Sequence, residues 1–373
     1  MAITQEGDWL CSFDMSVMRE VGRLSPLPFL HPPVDPEYRN YLTRSKDQGQ
    51  TWDVPRVFPG YEWSGMEIPA LRALANGDIL ASVYRRKFYP FEAIAQMSDL
   101  VGVTRVPPYQ WVASHCGTYV HRSKDGGHTW GESVEVDTRP YVSGYGPNPA
   151  VELGNGLLLL PLAAADPFFD TFFSNSGLEG DPLGNEWGED GRIELGKGAA
   201  FAAISRDGGH TWRETREIAR SAEMSFHEPA LAHLANGRLL CHLRTEPNDG
   251  GGYLYQVVSD DNGETWSDPE RTPIWGYPAD IVQLPDGRVL SVYGYRREPY
   301  GIRACLSDDC GDTWIIANEL IIRDDLLSIR ECMFPYNLGY PTATVLDDGT
   351  VFVVYWGEDA DGVTTIQGSY FKP

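Results

Sequence analysis

An eight-residue pattern, Ser-x-Asp-x-Gly-x-Thr-Trp, recurs five times in this chain: Ser45–Trp52, Ser123–Trp130, Ser205–Trp212, Ser259–Trp266 and Ser307–Trp314. Such repetition means that one supersecondary unit is used again and again, and it restricts the fold to a repeat architecture. The local chemistry is legible. Asp and Ser side chains hydrogen-bond nearby backbone N–H groups and hold a tight turn. Gly accepts φ > 0. Thr and Trp resume a strand, with the indole free to pack over the turn. Each copy reads as a structural clip on a hairpin, not as a binding site.

A second repeat lies between the clips. Apolar alternating runs flank a Gly-containing turn, a strong hairpin signal where the turn is Asn-Gly or Asp-Gly. The copies are Ile68–Val83, Asn148–Leu162, Glu228–Leu243, Ala279–Val292 and Pro341–Val354. Each has Leu three residues before the turn Gly: Leu74, Leu153, Leu234, Leu284 and Leu346. A fainter sixth copy, Gln5–Phe13, opens the chain. One inner and one outer hairpin make a four-stranded unit, and six units fit the count. The expected fold is all-β, a six-bladed β-propeller of four-stranded antiparallel blades in one domain over residues 1–373. The blades fall near 1–60, 64–140, 145–220, 226–273, 277–323 and 338–373. The last unit lacks the clip and reads one strand short, so the N-terminus is expected to complete it and close the ring. Two insertions, 85–116 and 165–198, lengthen the second and third units; long connections of this kind often shape a binding rim.

With 30 Lys and Arg against 53 Asp and Glu, the formal charge is −23. That surface disfavours nucleic acid and anionic membranes as partners. No apolar run is long enough to span a bilayer. The first ten residues carry no secretory pattern, which points to a cytoplasmic protein. Cys11, Cys116, Cys241, Cys305, Cys310 and Cys332 are scattered without metal-type spacing, and the eight His are dispersed. Neither a metal nor another cofactor is expected.

In a propeller the first strand of each blade lines the channel, so its leading residues converge at one mouth. Here these are Glu67, Asn148, His227 with Glu228, Tyr277 with Asp280, and Tyr340. Acids and a Tyr aimed at one axis form a candidate site.

The clips resemble the Asp boxes, or BNR repeats, of the sialidase (neuraminidase) superfamily, and the likeness covers nearly the whole chain. That family uses a Tyr nucleophile activated by a Glu, an acidic Asp on a loop, and three Arg that clamp the substrate carboxylate. Tyr340, in Gly-Tyr-Pro-Thr-Ala-Thr-Val-Leu-Asp-Asp-Gly, is similar to the nucleophile segment. Glu228 resembles its partner; both stand nine residues before their turn Gly. Arg244, sixteen after Glu228, resembles the second clamp Arg, and Arg303 the third, with Arg296 and Arg297 as competitors. The resemblance implies catalytic Tyr340 and Glu228, with Arg244 and Arg303 contacting substrate. The convergence at the mouth adds Glu67, as a carboxylate paired with Glu228 or as proton donor, and His227, Asn148 and Asp280 as substrate contacts, with His115 from the insertion of the second unit. The physical logic stands beside it. A Tyr with pKa near ~10 needs a carboxylate to accept its proton as it attacks.

The pattern departs at one place. Where the family opens its first clamp blade with Arg-Ile-Pro, this chain has Glu67-Ile-Pro69. A carboxylate there loses a charge-assisted hydrogen bond of about 1.5–3 kcal/mol to a substrate carboxylate and adds repulsion. The loop acid has no assigned position; Glu92 and Asp99, in the insertion of the second unit, are its nearest candidates. The expected activity is therefore sialidase-like removal of a terminal sugar, not ordinary sialidase action. Two alternatives stay open: a uronate lyase using His115 or His227 with Tyr340, and a glycan-binding propeller without turnover.

Overall fold

The computed structural model describes residues 1–15, 39–58, 69–90, 92–93, 101–105, 111–141, 144–164, 198–245, 251–326, 338–358 and 363–373. They form six antiparallel sheets arranged as a β-propeller. The first blade is β1 (Ala2–Ile3), β2 (Trp9–Met15), β3 (Arg39–Ser45) and β4 (Arg56–Val57). The second holds β5 (Ala70–Ala73), β6 (Ile79–Pro90), β7 (Val101–Arg105), β8 (Trp111–Ser123) and β9 (Val134–Val136). The third holds β10 (Val151–Gly154), β11 (Leu157–Ala163), β12 (Ala200–Ser205) and β13 (Glu214–Ala219). The fourth holds β14 (His227–His233), β15 (Leu239–Arg244), β16 (Tyr253–Ser259) and β17 (Glu270–Trp275). The fifth holds β18 (Ala279–Gln283), β19 (Val289–Tyr295), β20 (Gly301–Ser307) and β21 (Leu320–Arg323). The sixth holds β22 (Leu338–Val345), β23 (Val351–Glu358) and β24 (Thr364–Phe371).

Each Asp box folds as its residue types dictate. In the second blade the Ser123 hydroxyl donates to Asp125 Oδ1 at 2.8 Å and accepts from the Gly127 N–H at 2.7 Å. Asp125 in turn accepts from the Thr129 N–H at 2.9 Å and the Thr129 hydroxyl at 2.6 Å. The same bonds recur around Asp47, Asp207, Asp261 and Asp309. The box glycine also meets a neighbour from the preceding blade. A Cβ on Gly127, Gly209, Gly263 or Gly311 would stand 2.5–2.9 Å from Leu10, Leu80, Leu159 or Leu240. The box is thus a contact between blades as well as a turn. Arg44 and Arg122 strengthen the same seam, reaching the box carbonyls of Gly126 and Gly208 in the next blade.

The core is distributed among the wedges between neighbouring blades. Leu159 and Leu239 meet between the third and fourth. Leu240 and Val289 meet between the fourth and fifth, and Leu290 and Val353 between the fifth and sixth. Leu80 and Leu158 fill the wedge of the second and third blades, and Leu10 and Ile79 that of the first and second. Each fully buried Leu, Ile or Val contributes about 1.5–3 kcal/mol.

Closure differs from the expectation. The N-terminal strand β1 pairs with β2 inside the first blade. The sixth sheet has three strands among the described residues. The ring shuts by side-chain packing: Trp9 meets Phe352 with centroids 5.0 Å apart, and the Tyr370 hydroxyl donates to the Gln48 carbonyl. An aromatic wedge buries this seam, and among the described residues no strand of the first blade pairs with the sixth. The second-blade insertion is also more regular than a loop. Strands β6 and β8 run on as a ribbon, from Arg86 opposite His115 to Pro90 opposite Trp111. The third-blade insertion, with its Phe and acidic residues, lies outside the described residues save for Gly198.

Candidate active site

Two strands carry the site, and both are bulged where they begin. Along β14, His227 faces Arg244 and Ala230 faces His242, so β14 holds one residue more than its partner. Along β22, Gly339 faces Trp356 and Thr342 faces Val354, with the same surplus. The extra residues put Glu228 and Tyr340 in the left-handed region, at φ +42° and +51°. Each is followed by proline, Pro229 and Pro341, which has no N–H to lose from the ladder. Bulges re-aim side chains, and non-glycine residues held at such φ concentrate where geometry serves function.

The bulges bring together residues 112 positions apart. The Tyr340 hydroxyl donates to Glu228 Oε1. Arg244, at the end of β15, donates to Glu228 Oε2 at 2.7 Å and to the Tyr340 oxygen at 3.4 Å. Glu228 is buried, 5% exposed. Arg296, one residue beyond β19, lies with its guanidinium carbon 5.9 Å from the Tyr340 ring centre. The Tyr277 ring lies against both arginines, its centre 4.8 Å from the Arg244 guanidinium carbon and 5.0 Å from that of Arg296. Burial, and then the charge of Arg244, press the Arg296 pKa down, yet a guanidinium stays protonated in proteins. Two guanidiniums thus lie beside the Tyr340–Glu228 pair, Arg244 bonded to the carboxylate and Arg296 against the Tyr340 ring. The pair can move a proton from phenol to carboxylate, and Arg244 can stabilise the phenolate that results.

A second group flanks the first. The Tyr145 hydroxyl lies 2.5 Å from His227 Nδ1. Asn148 donates to the Pro229 carbonyl at 3.0 Å and to that of Glu228 at 3.5 Å, pinning the bulge. His115 stacks on Tyr84 at 4.5 Å. Burial, with Arg86 acting in the same direction, lowers the His115 imidazole to about 3, so it is neutral at ordinary pH.

Other expected positions fall elsewhere. Asp280 is not poised at the mouth: its carboxylate accepts the Ala343 N–H at 2.8 Å and the Ile281 N–H at 2.9 Å, tying the fifth blade to the sixth. Burial raises its pKa. Arg303 pairs with Glu319 at 2.5 Å and lies 3.3 Å over the Tyr295 ring. It sits on the third strand of its blade, away from the axis, so Arg296 replaces it beside Tyr340. The rule that found Arg244, the end of the second strand, also finds Arg296. Glu92 is exposed, while Glu67 and Asp99 lie outside the described residues. Tyr145, three residues before the Asn148-Pro149 step that opens its inner strand, is a site neighbour that sequence reasoning did not single out; no spacing shared with the other blades marks it. Among the described residues no group of three or more His, Cys, Asp or Glu side chains is placed to hold a metal.

Comparison with known proteins agrees with this architecture. A sialidase from Micromonospora viridifaciens is 27% identical over 247 residues, 62% of this chain and 32% of the relative. The chain thus spans about a third of that relative's length. A protein of unknown function from Dyadobacter fermentans superposes with a TM-score of 0.79 at 27% identity, covering 99% of this chain and 92% of the other. A Hadza microbial sialidase gives 0.61 at 19% identity, covering 98% and 64%. The α-L-arabinanase of Penicillium chrysogenum gives 0.57 at 14% identity, covering 99% and 91%; these last two likenesses concern the fold alone. The BNR repeat-like domain pattern matches residues 105–353, about two thirds of the sequence. The chain therefore belongs to the BNR repeat-like domain family and is a sialidase-superfamily β-propeller.

Proposed function

We propose that the protein is a glycoside hydrolase that removes a terminal, anionic sugar from a glycan. The observation that carries this reading is the Tyr340–Glu228 hydrogen bond with Arg244 bridging both partners. Glu228 takes the phenolic proton as the Tyr340 oxygen bonds to the anomeric carbon, and the bond to the leaving group breaks. A protonated acid supplies the leaving-group proton; Glu67, Glu92 and Asp99 are the side chains to test for it. Water then attacks the anomeric carbon and cleaves the glycosyl–tyrosine bond: the acid that protonated the leaving group, now a carboxylate, takes the water proton, and the phenolic proton returns from Glu228 to Tyr340. A phenol suits an anionic substrate because, unlike a carboxylate nucleophile, it brings no negative charge. Arg244 and Arg296 would hold the substrate's own anion. The sialidase relative, glycan-cleaving by name, supports the same class. Glu67, in place of a clamp arginine, argues that the natural substrate differs from that of ordinary sialidases.

The test is a panel of aryl glycosides with wild type and Tyr340→Phe, combined with mass spectrometry of enzyme treated with fluorinated glycosyl donors. A sugar adduct on Tyr340 is expected, with no adduct and no turnover in Tyr340→Phe. Products absorbing as unsaturated uronates would replace the hydrolase with a lyase. Binding without product, indifferent to Tyr340→Phe, would reduce the protein to a glycan-binding module.

A further inference from the structure

We infer that Tyr277 is the positioning residue of the arginine pair, an aromatic platform that fixes the seat of the substrate's anion. The inference deepens the proposed function and rests on that reading for the identity of the substrate. Two neighbouring guanidiniums repel each other, and flexible arginines would splay apart. The face of an aromatic ring attracts cations through its quadrupole, more strongly where water is excluded. Tyr277 is 1% exposed, and both guanidinium carbons lie within 5.0 Å of its ring centre.

The platform is itself held on several sides. Its N–H donates to the Gly294 carbonyl at 2.9 Å. The Trp275 ring packs at 6.1 Å, and the Trp275 indole is fastened to the Gly251 carbonyl at 2.8 Å. Glycines make the room. A Cβ on Gly252 would approach the Tyr277 ring to 3.1 Å, and one on Gly294 would approach the Tyr277 carbonyl oxygen to 2.8 Å. A Cβ on Gly339 would press within 3.1 Å of Arg296. The fourth, fifth and sixth blades each contribute to this cage, so the separation of the two cations is set before substrate arrives. Pre-set donors lose less freedom on binding. The ligand such a seat fits is a sugar carboxylate, whose planar oxygens match guanidinium forks.

The experiment measures binding, so it does not require turnover. D-glucuronate, N-acetylneuraminate and their methyl esters are titrated calorimetrically into wild type, Tyr277→Phe, Tyr277→Met and a series with fluorinated phenylalanines at position 277. Fluorination drains the ring's negative face while keeping its shape, which keeps the test readable if Tyr277→Met fails to fold. Wild type is expected to bind at least one acid tenfold or more tightly than its ester. Tyr277→Phe should keep that preference, each added fluorine should lower it stepwise, and trifluorophenylalanine or Met should abolish it at unchanged melting temperature. A preference indifferent to fluorination overturns the platform, as does a wild type that binds neither acid. A graded preference in a protein that hydrolyses no glycoside would uphold the platform and remove the hydrolase reading.

Discussion

Replacing Arg244 by Met should destabilise the protein more than replacing Tyr340 by Phe, although the second change removes the proposed nucleophile. The Glu228 carboxylate is buried and has both residues as partners. In Tyr340→Phe it loses one charge-assisted hydrogen bond, costing about 1.5–3 kcal/mol, and keeps Arg244 at 2.7 Å. In Arg244→Met it keeps the phenol but stands in the interior without that cation, a loss of about 3–5 kcal/mol. Equilibrium urea unfolding of wild type, both single variants and the double variant reads the difference. The double variant should show a coupling of about 0.5–3 kcal/mol, because the two residues share one partner. Activity should rank the other way, with Tyr340→Phe the more damaging. An Arg244→Met variant no less stable than Tyr340→Phe would refute the view that buried Glu228 depends on Arg244.

Three further outcomes follow from the same geometry. Gly263→Ala and Gly237→Ala both place a Cβ at positive φ, at about 1–2 kcal/mol each, but only the first meets Leu159 at 2.8 Å, so its unfolding midpoint should fall further. Glu228→Gly should be more stable than Glu228→Ala by about 1 kcal/mol, reversing the usual order, because φ there is +42°. His242, wedged between Ser291 and Gln256, has its imidazole lowered by burial from 6.5 to about 4, while His121 is lowered by burial to about 4 as well. The unfolded chain takes up these protons first, so stability is complete above pH 6.5 and is lost as pH falls toward 4. For His242 the loss is of order 3 kcal/mol, and His242→Gln should flatten that limb of a pH–stability curve.

The architecture is legible in the chain of residues because turn chemistry is local. Ser, Asp, Gly and Thr at fixed spacing can satisfy one another only in one tight turn, so five copies specified five hairpins. Leu three residues before a turn Gly specified the inner ones. Tyr340 and Glu228 were legible for a related reason: each stands at a fixed distance from a turn that fixes its place on the axis. Other features depended on contacts between distant segments, and no local spacing encodes those. The residue surplus that lifts Glu228 and Tyr340 out of register exists only relative to β15 and β23. Arg296 displaced Arg303 because one lies at a strand end near the axis and the other faces Glu319 farther out. Asp280 reads as a mouth acid along the chain, yet it is consumed by the backbone of the neighbouring blade. The box glycine looks like a turn residue until the preceding blade brings a leucine against it. Turns are decided within a few residues; which side chains share a mouth is decided by how blades pack around the ring.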